Sequence, residues 1–274
     1  AHMNRNIKIG KKVFEIGKRT YIMGILNVTP DSFSDGGKFN NIDRALKHAD
    51  SMIKQGADII DVGGESTRPN HTPVEQDEEI HRVVPVIEAL RKEFDIPISI
   101  DTYKSEVARI SVQAGADLIN DVWGFKKDKN MGKVAAASGA VCCLMHNRED
   151  TSYKDFVDDV LWDLKESVDI ALNAGVKEEN IIVDPGIGFA KDYNQNLKLM
   201  NNLEKLKKLG YPVLLGTSRK SMIGKTLDLP VEERVEGTLA TTVVGIMKGC
   251  DFVRVHDVLE NKRVCLMTDA ILRG

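Results

Sequence analysis

The chain has 274 residues, enough to bury a sizeable core, and α/β barrels of this length commonly form one domain. Its 38 basic and 41 acidic residues leave a formal net charge of −3, which argues against the basic footprint of a nucleic-acid-binding protein. No apolar run of about 18 residues predicts a membrane span, and the first residues lack the apolar core of a signal peptide. We therefore expect a cytoplasmic protein with neither a nucleic-acid nor a membrane partner.

The four cysteines, at positions 142, 143, 250 and 265, do not have the CxxC spacing of a metal or redox site. They predict small buried side chains in a reducing compartment. Residues 1–3 have the character of an expression-tag remnant, so the predicted domain spans residues 4–274.

The first predicted element is a β-hairpin over residues 7–16, around a Gly-Lys-Lys turn, placed to close the bottom of a barrel. Eight short apolar or β-branched runs then alternate with amphipathic stretches, which is typical of parallel strands joined by helices. Most of these runs are continuously apolar, as expected of strands buried on both faces. The predicted strands span residues 21–28, 58–62, 97–101, 118–122, 140–145, 181–184, 212–216 and 252–256.

The amphipathic stretches between the strands predict helices. Eight strand-helix units are the number that closes a (β/α)8 TIM barrel, so the predicted fold class is α/β, a single-domain barrel with an N-terminal β-hairpin. The alternative is an open doubly wound sheet, which is disfavoured because no glycine fingerprint follows the first strand. The predicted helices span residues 42–54, 74–93, 104–113, 130–138, 153–174, 193–209, 231–248 and 258–272.

In such a barrel, side chains just past the C-terminal strand ends face one shared pocket. A single aspartate at a strand end is more often a helix cap than a catalyst, but polar groups from most of the strands indicate a site. The polar residues at these positions are Asn27, Asp61, Glu65, Asp101, Asn120, Asp121, His146, Asp184, Ser218, Arg219, Lys220, Arg254 and His256.

One side of the predicted pocket is cationic. Arg254 and His256 are two residues apart on the last strand and project to the same side. Together with Arg68, from a glycine-rich segment after the second strand, they predict a site for a phosphate or diphosphate. The alternative is that Arg254 only pairs with an aspartate inside the barrel. Asn27 offers a neutral oxygen suited to Mg²⁺, an ion often shared with substrate phosphates.

The other side is acidic. Asp184 precedes residues 185–189, whose two glycines let a ligand approach the backbone. A carboxylate can accept two parallel hydrogen bonds from an amino-pyrimidinone edge. Lys220 can donate to the ring carbonyl, and Asn120 offers both a donor and an acceptor. These residues predict a slot for a flat heterocycle.

Five segments in this order resemble the dihydropteroate synthase family of pterin-binding enzymes, over the length from Tyr21 to the last helix. The segments are residues 24–37, 61–69, 184–189, 216–221 and 254–257. The resemblance implies condensation of 6-hydroxymethyl-7,8-dihydropterin diphosphate with p-aminobenzoate by an SN1-like mechanism, giving 7,8-dihydropteroate and diphosphate. It also implies Mg²⁺ as cofactor and a homodimer formed through the last helices.

By motif position, the resemblance assigns residues to three subsites. The pterin set is Asp101, Asn120, Val122, Met145, Asp184, Phe189, Gly216 and Lys220. The diphosphate set is Asn27, Arg68, Arg254 and His256, with Asn27 also the metal ligand. The p-aminobenzoate set is Phe33, Thr67, Pro69, Phe189, Lys220 and Ser221. The residues implied to be catalytic are Asp101, Lys220, Arg68 and Asn27.

Two other functions remain open at this point. A pterin-binding methyltransferase acting on methyltetrahydrofolate has no diphosphate to bind, so the segments around Arg68 and Arg254 argue against it. A catalytically silent pterin- or phosphate-binding protein is disfavoured by the full ring of polar residues at the mouth.

Overall fold

The computed structural model describes residues 5–28, 38–66 and 72–274. Eight of the described strands form one parallel sheet, and a two-stranded antiparallel hairpin precedes them. The hairpin strands are β1 (Asn6–Ile9) and β2 (Lys12–Glu15). The sheet strands are β3 (Tyr21–Asn27), β4 (Ile59–Gly63), β5 (Ile98–Asp101), β6 (Leu118–Asp121), β7 (Val141–Met145), β8 (Ile181–Asp184), β9 (Leu214–Leu215) and β10 (Phe252–Val255).

The sheet is closed into a barrel. From β3 to β8 each strand pairs with the next in the chain, and β10 lies between β3 and β9. Between β8 and β9, Val183 forms a parallel bridge with Val213, and its N–H donates to the Pro212 oxygen at 3.0 Å. The predicted (β/α)8 barrel with an N-terminal hairpin is therefore confirmed, although β9 is shorter than predicted.

Helices follow the strands and cover the outside of the barrel. Shorter 3-10 turns lie at Glu178–Asn180, Leu203–Leu209 and Val231–Glu233. Among the described residues, no helix is both long and apolar enough to cross a membrane. The helices are α1 (Lys38–Gln55), α2 (Gln76–Glu93), α3 (Ser105–Ala114), α4 (Met131–Ser138), α5 (Phe156–Ala174), α6 (Tyr193–Met200), α7 (Ser221–Leu227), α8 (Val235–Met247) and α9 (Val258–Arg273).

The prediction of one helix over residues 193–209 is wrong. Helix α6 ends at Met200, and a separate 3-10 helix covers Leu203–Leu209. The side-chain amide of Asn202 donates to the Lys198 oxygen at 2.7 Å, taking a carbonyl that a continuing helix would use. Asparagine competes with helical hydrogen bonds in this way, so the chain turns here.

Three aspartates tie neighbouring strands together at the bottom of the barrel. Asp58 donates its N–H to the Ile22 oxygen at 2.8 Å, and its carboxylate accepts the N–H of the same residue at 2.8 Å. Asp117 makes the same two-way link to Ile98, and Asp251 to Val213. Each aspartate follows a Gly-Ala or Gly-Cys pair, so the turn into these strands also links two strands.

The hairpin closes the bottom of the barrel, as predicted. Its inward side chains, including Ile7 and Phe14, are buried in one cluster with residues at the starts of the strands, among them Tyr21 and Phe252. The Phe14 ring packs edge-on against Tyr21 with centroids 4.8 Å apart. The apolar seal at this end leaves the C-terminal mouth as the end where buried polar side chains gather.

Candidate active site

The mouth of the barrel carries the strand-end polar residues predicted to share a pocket. Asn27, Asp101, Asp121 and Asp184 are the last residues of β3, β5, β6 and β8. Asn27 is exposed, whereas the three aspartates are buried. Buried carboxyl groups require partners, because an unpaired charge in an apolar interior is very unfavourable.

Arg254 joins two of the carboxyl groups inside the barrel. Its Nε donates to Asp61 Oδ2 at 2.7 Å, and its Nη2 donates to Asp101 Oδ2 at 3.3 Å. Asp61 also accepts hydrogen bonds from Ser99 Oγ at 2.6 Å and from Asn120 Nδ2 at 3.3 Å. We call Asp61, Asp101 and Arg254 the carboxylate–arginine cluster.

The cluster bears on both interpretations of Arg254. The sequence favours a cationic pocket over an arginine that only pairs with an aspartate, and in this structure Arg254 pairs with two aspartates through Nε and Nη2, so an anion-binding role stays a prediction. Strand β10 lies beside β3, so a side chain on its inner face reaches past β3 to Asp61 on β4 and Asp101 on β5. The acidic and cationic sides of the site are therefore in direct contact.

The charges within the cluster set the pKa values of Asp101 and Arg254. Burial and the nearby Asp61 carboxylate raise the pKa of Asp101 well above its ordinary value, although Arg254 opposes the shift. Burial alone would lower the pKa of Arg254, but the two carboxylates outweigh it and raise that pKa. Among the described residues, no group hydrogen-bonds to the buried Oδ1 of Asp101. Such an oxygen marks a position for a ligand hydrogen bond.

Asp184 lies three strands around the barrel from Asp101 and is 5 % exposed. Its Oδ1 accepts the Gly186 N–H at 2.8 Å. Burial raises the pKa of Asp184 to about 6, while this hydrogen bond and the charges of Lys220 and Arg254 oppose the rise. Because Arg254 acts on both carboxyl groups, Asp101 and Asp184 share one electrostatic environment.

Phe189 and Lys220 stand together near Asp184. Nζ of Lys220 lies 4.5 Å from the centroid of the Phe189 ring, a cation–π distance. A Cβ atom on Gly188 would lie 3.3 Å from Lys220 Cδ, so glycine leaves room for the lysine chain. Val122 and Met145, also predicted to contact the pterin, are buried at the ends of β6 and β7.

His256 and Ser221 follow β10 and β9, next to the mouth. Ser218 Oγ lies 2.7 Å from His256 Nδ1 and accepts the His256 backbone N–H at 3.0 Å. Gly216 also follows β9, and a Cβ there would lie 3.9 Å from the Arg254 Cβ. Ser221 is the first residue of the short helix α7.

Comparisons with known proteins identify the family. The model of the pterin binding enzymes matches residues 23–256. The dihydropteroate synthase of Clostridium beijerinckii is 69% identical over 268 residues, which cover 97% of this chain and 100% of that protein. The chain belongs to the dihydropteroate synthase family. It is therefore a pterin-binding transferase.

Solved structures of the same family share the fold. The dihydropteroate synthase from Clostridium difficile, crystallised in the presence of pteroic acid, has a TM-score of 0.93 and 58% identity, covering 95% of this chain and 100% of that chain. The enzyme from Xanthomonas albilineans with 4-aminobenzoic acid has a TM-score of 0.94 and 37% identity, covering 99% and 100%.

The remaining predicted site residues fall into two groups. Phe33, Thr67, Arg68 and Pro69 lie outside the described residues. Asp121, part of the predicted polar ring, accepts the N–H groups of Trp123 and Phe125 at 2.8 and 3.0 Å. Asp121 is thus a cap of the turn after β6, which is the alternative considered for a strand-end aspartate.

Two lysines that the sequence analysis leaves unnoticed organise the rim of the mouth. Lys104 Nζ donates to Glu65, to Glu79 and to the Val74 oxygen at 3.0, 2.7 and 2.6 Å. Lys191, which follows β8, contacts instead the His146 ring and the backbone oxygens of Gly186 and Phe189. Their signal in the sequence is weak, because lysine close to a strand end is usually a solvated surface residue. Asp61 was easier to recognise as a candidate site residue, since it is a charged residue within an apolar strand.

We expect Arg254→Met to lower the free energy of unfolding by about 3 kcal/mol near pH 8, because it leaves two buried carboxyl groups without their cation. Arg254 lowers the pKa of Asp184, which is about 6, and that of Asp101, which is about 8, so both rise without it. From about pH 6 upwards the native variant then holds protons that the native parent chain has lost, and the loss of stability grows with pH. An acid whose pKa is raised by folding destabilises the native state increasingly as pH rises towards that pKa. The loss should therefore shrink as the pH falls towards about 5. Urea unfolding over this range measures it.

The matched control is Arg109→Met, which removes an exposed arginine paired with Glu106 on α3. This variant should unfold like the parent chain at each pH. A loss for Arg254→Met that does not change with pH would contradict the electrostatic explanation.

Proposed function

We propose that the mouth of this barrel condenses 6-hydroxymethyl-7,8-dihydropterin diphosphate with p-aminobenzoate, giving 7,8-dihydropteroate and diphosphate. The observation that carries the proposal is the arrangement of Asp101, Arg254 and Asp184. An unpartnered carboxyl oxygen lies beside a guanidinium, and a second buried carboxyl group feels the same positive charge. The relatives solved with pteroic acid and with 4-aminobenzoic acid support the choice of substrates.

In this proposal the pterin ring lies between the acidic groups of the mouth. Asp184 accepts from the amino-pyrimidinone edge, Asn120 completes that recognition and Lys220 donates to the ring carbonyl. Asp101 contacts the ring through its unpartnered Oδ1. The apolar contacts come from Val122, Met145, Phe189 and Gly216.

The diphosphate in this proposal is bound by Asn27, Arg68, Arg254 and His256. Nε and Nη2 of Arg254 already contact carboxylates, and Nη1 makes no hydrogen bond to any described residue. We assign Nη1 to a diphosphate oxygen. Arg254 then connects the leaving group to Asp101 on the pterin side.

The residues present fit a magnesium ion held largely by substrate. Asn27 is exposed at the end of β3, and the described residues contain no group of three or more His, Cys, Asp or Glu that could hold a metal. Mg²⁺ keeps several waters and often binds through few protein oxygens plus phosphates. Asn27 would hold the ion, which would neutralise charge on the diphosphate.

The proposed chemical step breaks the bond between the exocyclic methylene carbon and the diphosphate oxygen, and the electron pair leaves with diphosphate. The pterin ring delocalises the resulting positive charge. Because that charge favours ionisation of a nearby acid, Asp101 becomes more acidic as the bond breaks and releases its proton to water. Its carboxylate then stabilises the cation.

The second substrate in this proposal lies beside Phe189 and Lys220. The p-aminobenzoate subsite also includes Phe33, Thr67, Pro69 and Ser221. The aryl amine forms a bond to the methylene carbon, and its excess proton goes to solvent. No strong general base is needed, since loss of diphosphate has already activated the carbon.

The deciding assay mixes both substrates with the purified chain and measures dihydropteroate and diphosphate together. We expect equal amounts of the two products with Mg²⁺, and a large loss of both after chelation, because the leaving group then keeps its full charge. Restoring Mg²⁺ to the chelated sample is the control. Pterin binding without diphosphate release would indicate a silent binding protein or a methyltransferase.

We expect Asp184→Ala and Arg68→Ala to weaken the binding of different parts of the substrate. Asp184→Ala should weaken binding of 6-hydroxymethylpterin by about 100-fold, because it removes a paired acceptor of the ring edge. Arg68→Ala should leave this binding unchanged and weaken only the pterin that carries diphosphate. Calorimetry with both ligands measures the two losses. If the two variants lost affinity for the same ligands, the proposed division of the pocket would be wrong.

We further propose a homodimer formed through the last helices, in the cytoplasm. Met247 on α8 and Met267 and Ile271 on α9 are 65%, 62% and 70% exposed, and this apolar face would be covered by a second copy. The four cysteines are buried free thiols, as a reducing compartment allows.

For the proposed homodimer, sedimentation should give twice the mass of the chain, and Ile271→Glu should give monomer. A native chain that sediments as a monomer at micromolar concentration would contradict this assembly.

A further inference from the structure

Lys191 is bound at three points just behind the predicted pterin slot. Its Nζ lies 2.7 Å from His146 Nδ1, 2.8 Å from the Phe189 oxygen and 3.0 Å from the Gly186 oxygen. Three acceptors match the three N–H donors of a protonated ammonium group. None of the subsites above uses this residue.

The two carbonyl contacts hold the turn that follows β8. Asp184 and Phe189 lie at the two ends of this turn, and the Phe189 N–H donates to the Gly186 oxygen at 3.0 Å. Gly186 has φ +72°, and a Cβ there would lie 2.0 Å from the His146 oxygen, so the turn packs tightly on the backbone after β7. Lys191 therefore binds the same turn that presents the Asp184 carboxylate and the Phe189 ring.

The contact with His146 extends away from the mouth to a fixed carboxylate. His146 Nε2 lies 2.8 Å from Asp163 Oδ2, and Arg148 Nε donates to the same oxygen at 3.0 Å. Burial lowers the pKa of His146 to about 4, so the ring is neutral near pH 7. A neutral ring that donates from Nε2 to Asp163 must accept at Nδ1, which is the atom facing Lys191.

Lys191 also acts on Asp184 by its charge. The charges acting on Asp184 come from Lys191, from Lys220 before α7 and from Arg254 on β10, and the Cys143 thiol on β7 also faces it. Burial lowers the pKa of Lys191 to about 7, with Asp184 and Asp163 opposing the shift and Arg148 and Lys220 adding to it. At the pH where Asp184 titrates, Lys191 is therefore mostly protonated.

We propose that Lys191 is a positioning residue for pterin binding. It fixes the turn between Asp184 and Phe189 through Gly186 and His146, and it keeps the Asp184 carboxylate ionised. This inference rests on the proposed function, because it assumes that Asp184 accepts hydrogen bonds from the pterin.

The test is calorimetric titration of the 274-residue chain with 6-hydroxymethylpterin from about pH 5 to pH 8, within which the pKa of Asp184 lies. We expect Lys191→Met to weaken binding about tenfold or more near pH 6.5, where Lys191 is still mostly protonated and Asp184 mostly ionised, because hydrogen bonds from a charged group are lost. The pH at which binding is half lost should also rise, because Asp184 loses a neighbouring positive charge. Lys191→Arg should restore this midpoint but only part of the affinity.

Two further variants keep the test decisive. Lys198→Met removes an exposed lysine from neighbouring α6 and should bind like the parent chain. If Lys191→Met fails to fold, Lys191→Gln removes the same charge while keeping two N–H donors, and it should show the same rise in the midpoint.

The outcomes separate this inference from the proposed function. If the parent chain does not bind 6-hydroxymethylpterin, the proposed function fails. If the parent chain binds and the neutral variants keep its affinity and midpoint, the role of Lys191 is wrong. A loss of affinity that is equal at every pH overturns the electrostatic part and leaves only a structural lysine.

Discussion

A guanidinium held between two carboxyl groups inside a closed barrel is the interaction on which the rest of the site depends. Arg254 contacts Asp61 at 2.7 Å and Asp101 at 3.3 Å, on strands that are not its neighbours. Buried ion pairs add little to stability, because the loss of hydration offsets the attraction between the charges. The arrangement is better explained by the charge it supplies. With both carboxyl groups ionised the cluster carries one net negative charge, and burial together with Asp61 resists that state by raising the pKa of Asp101. A positive charge developing on a bound substrate would favour the state in which both carboxyl groups are ionised.

The two ends of the barrel differ in what they bury: apolar side chains at the bottom and polar side chains at the mouth. At the bottom, the hairpin packs Ile7 and Phe14 against the starts of the strands, and Asp58, Asp117 and Asp251 link neighbouring strands through paired hydrogen bonds. At the mouth, buried polar groups replace apolar ones, and each is held by partners on other strands or turns. Burial at the mouth raises the pKa values of Asp101 and Asp184, whereas the base is packed with apolar side chains.

The sequence predicted the strands well because a strand buried on both faces needs a continuous apolar run, and few other segments have one. Helix ends were predicted less well. Asn202 turns the chain after α6 by binding the Lys198 oxygen, a competition between side chain and backbone that periodicity does not reveal. The two carboxylate partners of Arg254 could not be identified from the sequence, since β4 and β5 come within reach of β10 only after the barrel closes. Lys104 and Lys191 went unnoticed because a lysine close to a strand end is usually a solvated surface residue.

Residue order alone determined the α/β barrel, the hairpin at its base and the ring of polar residues at the strand ends, because hydrophobic periodicity and strand-end position are local properties of the chain. The family motifs lie on those strand ends, so the family could also be inferred from them. Only the tertiary structure decided which carboxyl group faces which cation, which pKa values rise, and which aspartate merely caps a turn. Those properties depend on distances of a few ångströms between residues far apart in the sequence, and these distances exist only once the sheet has closed.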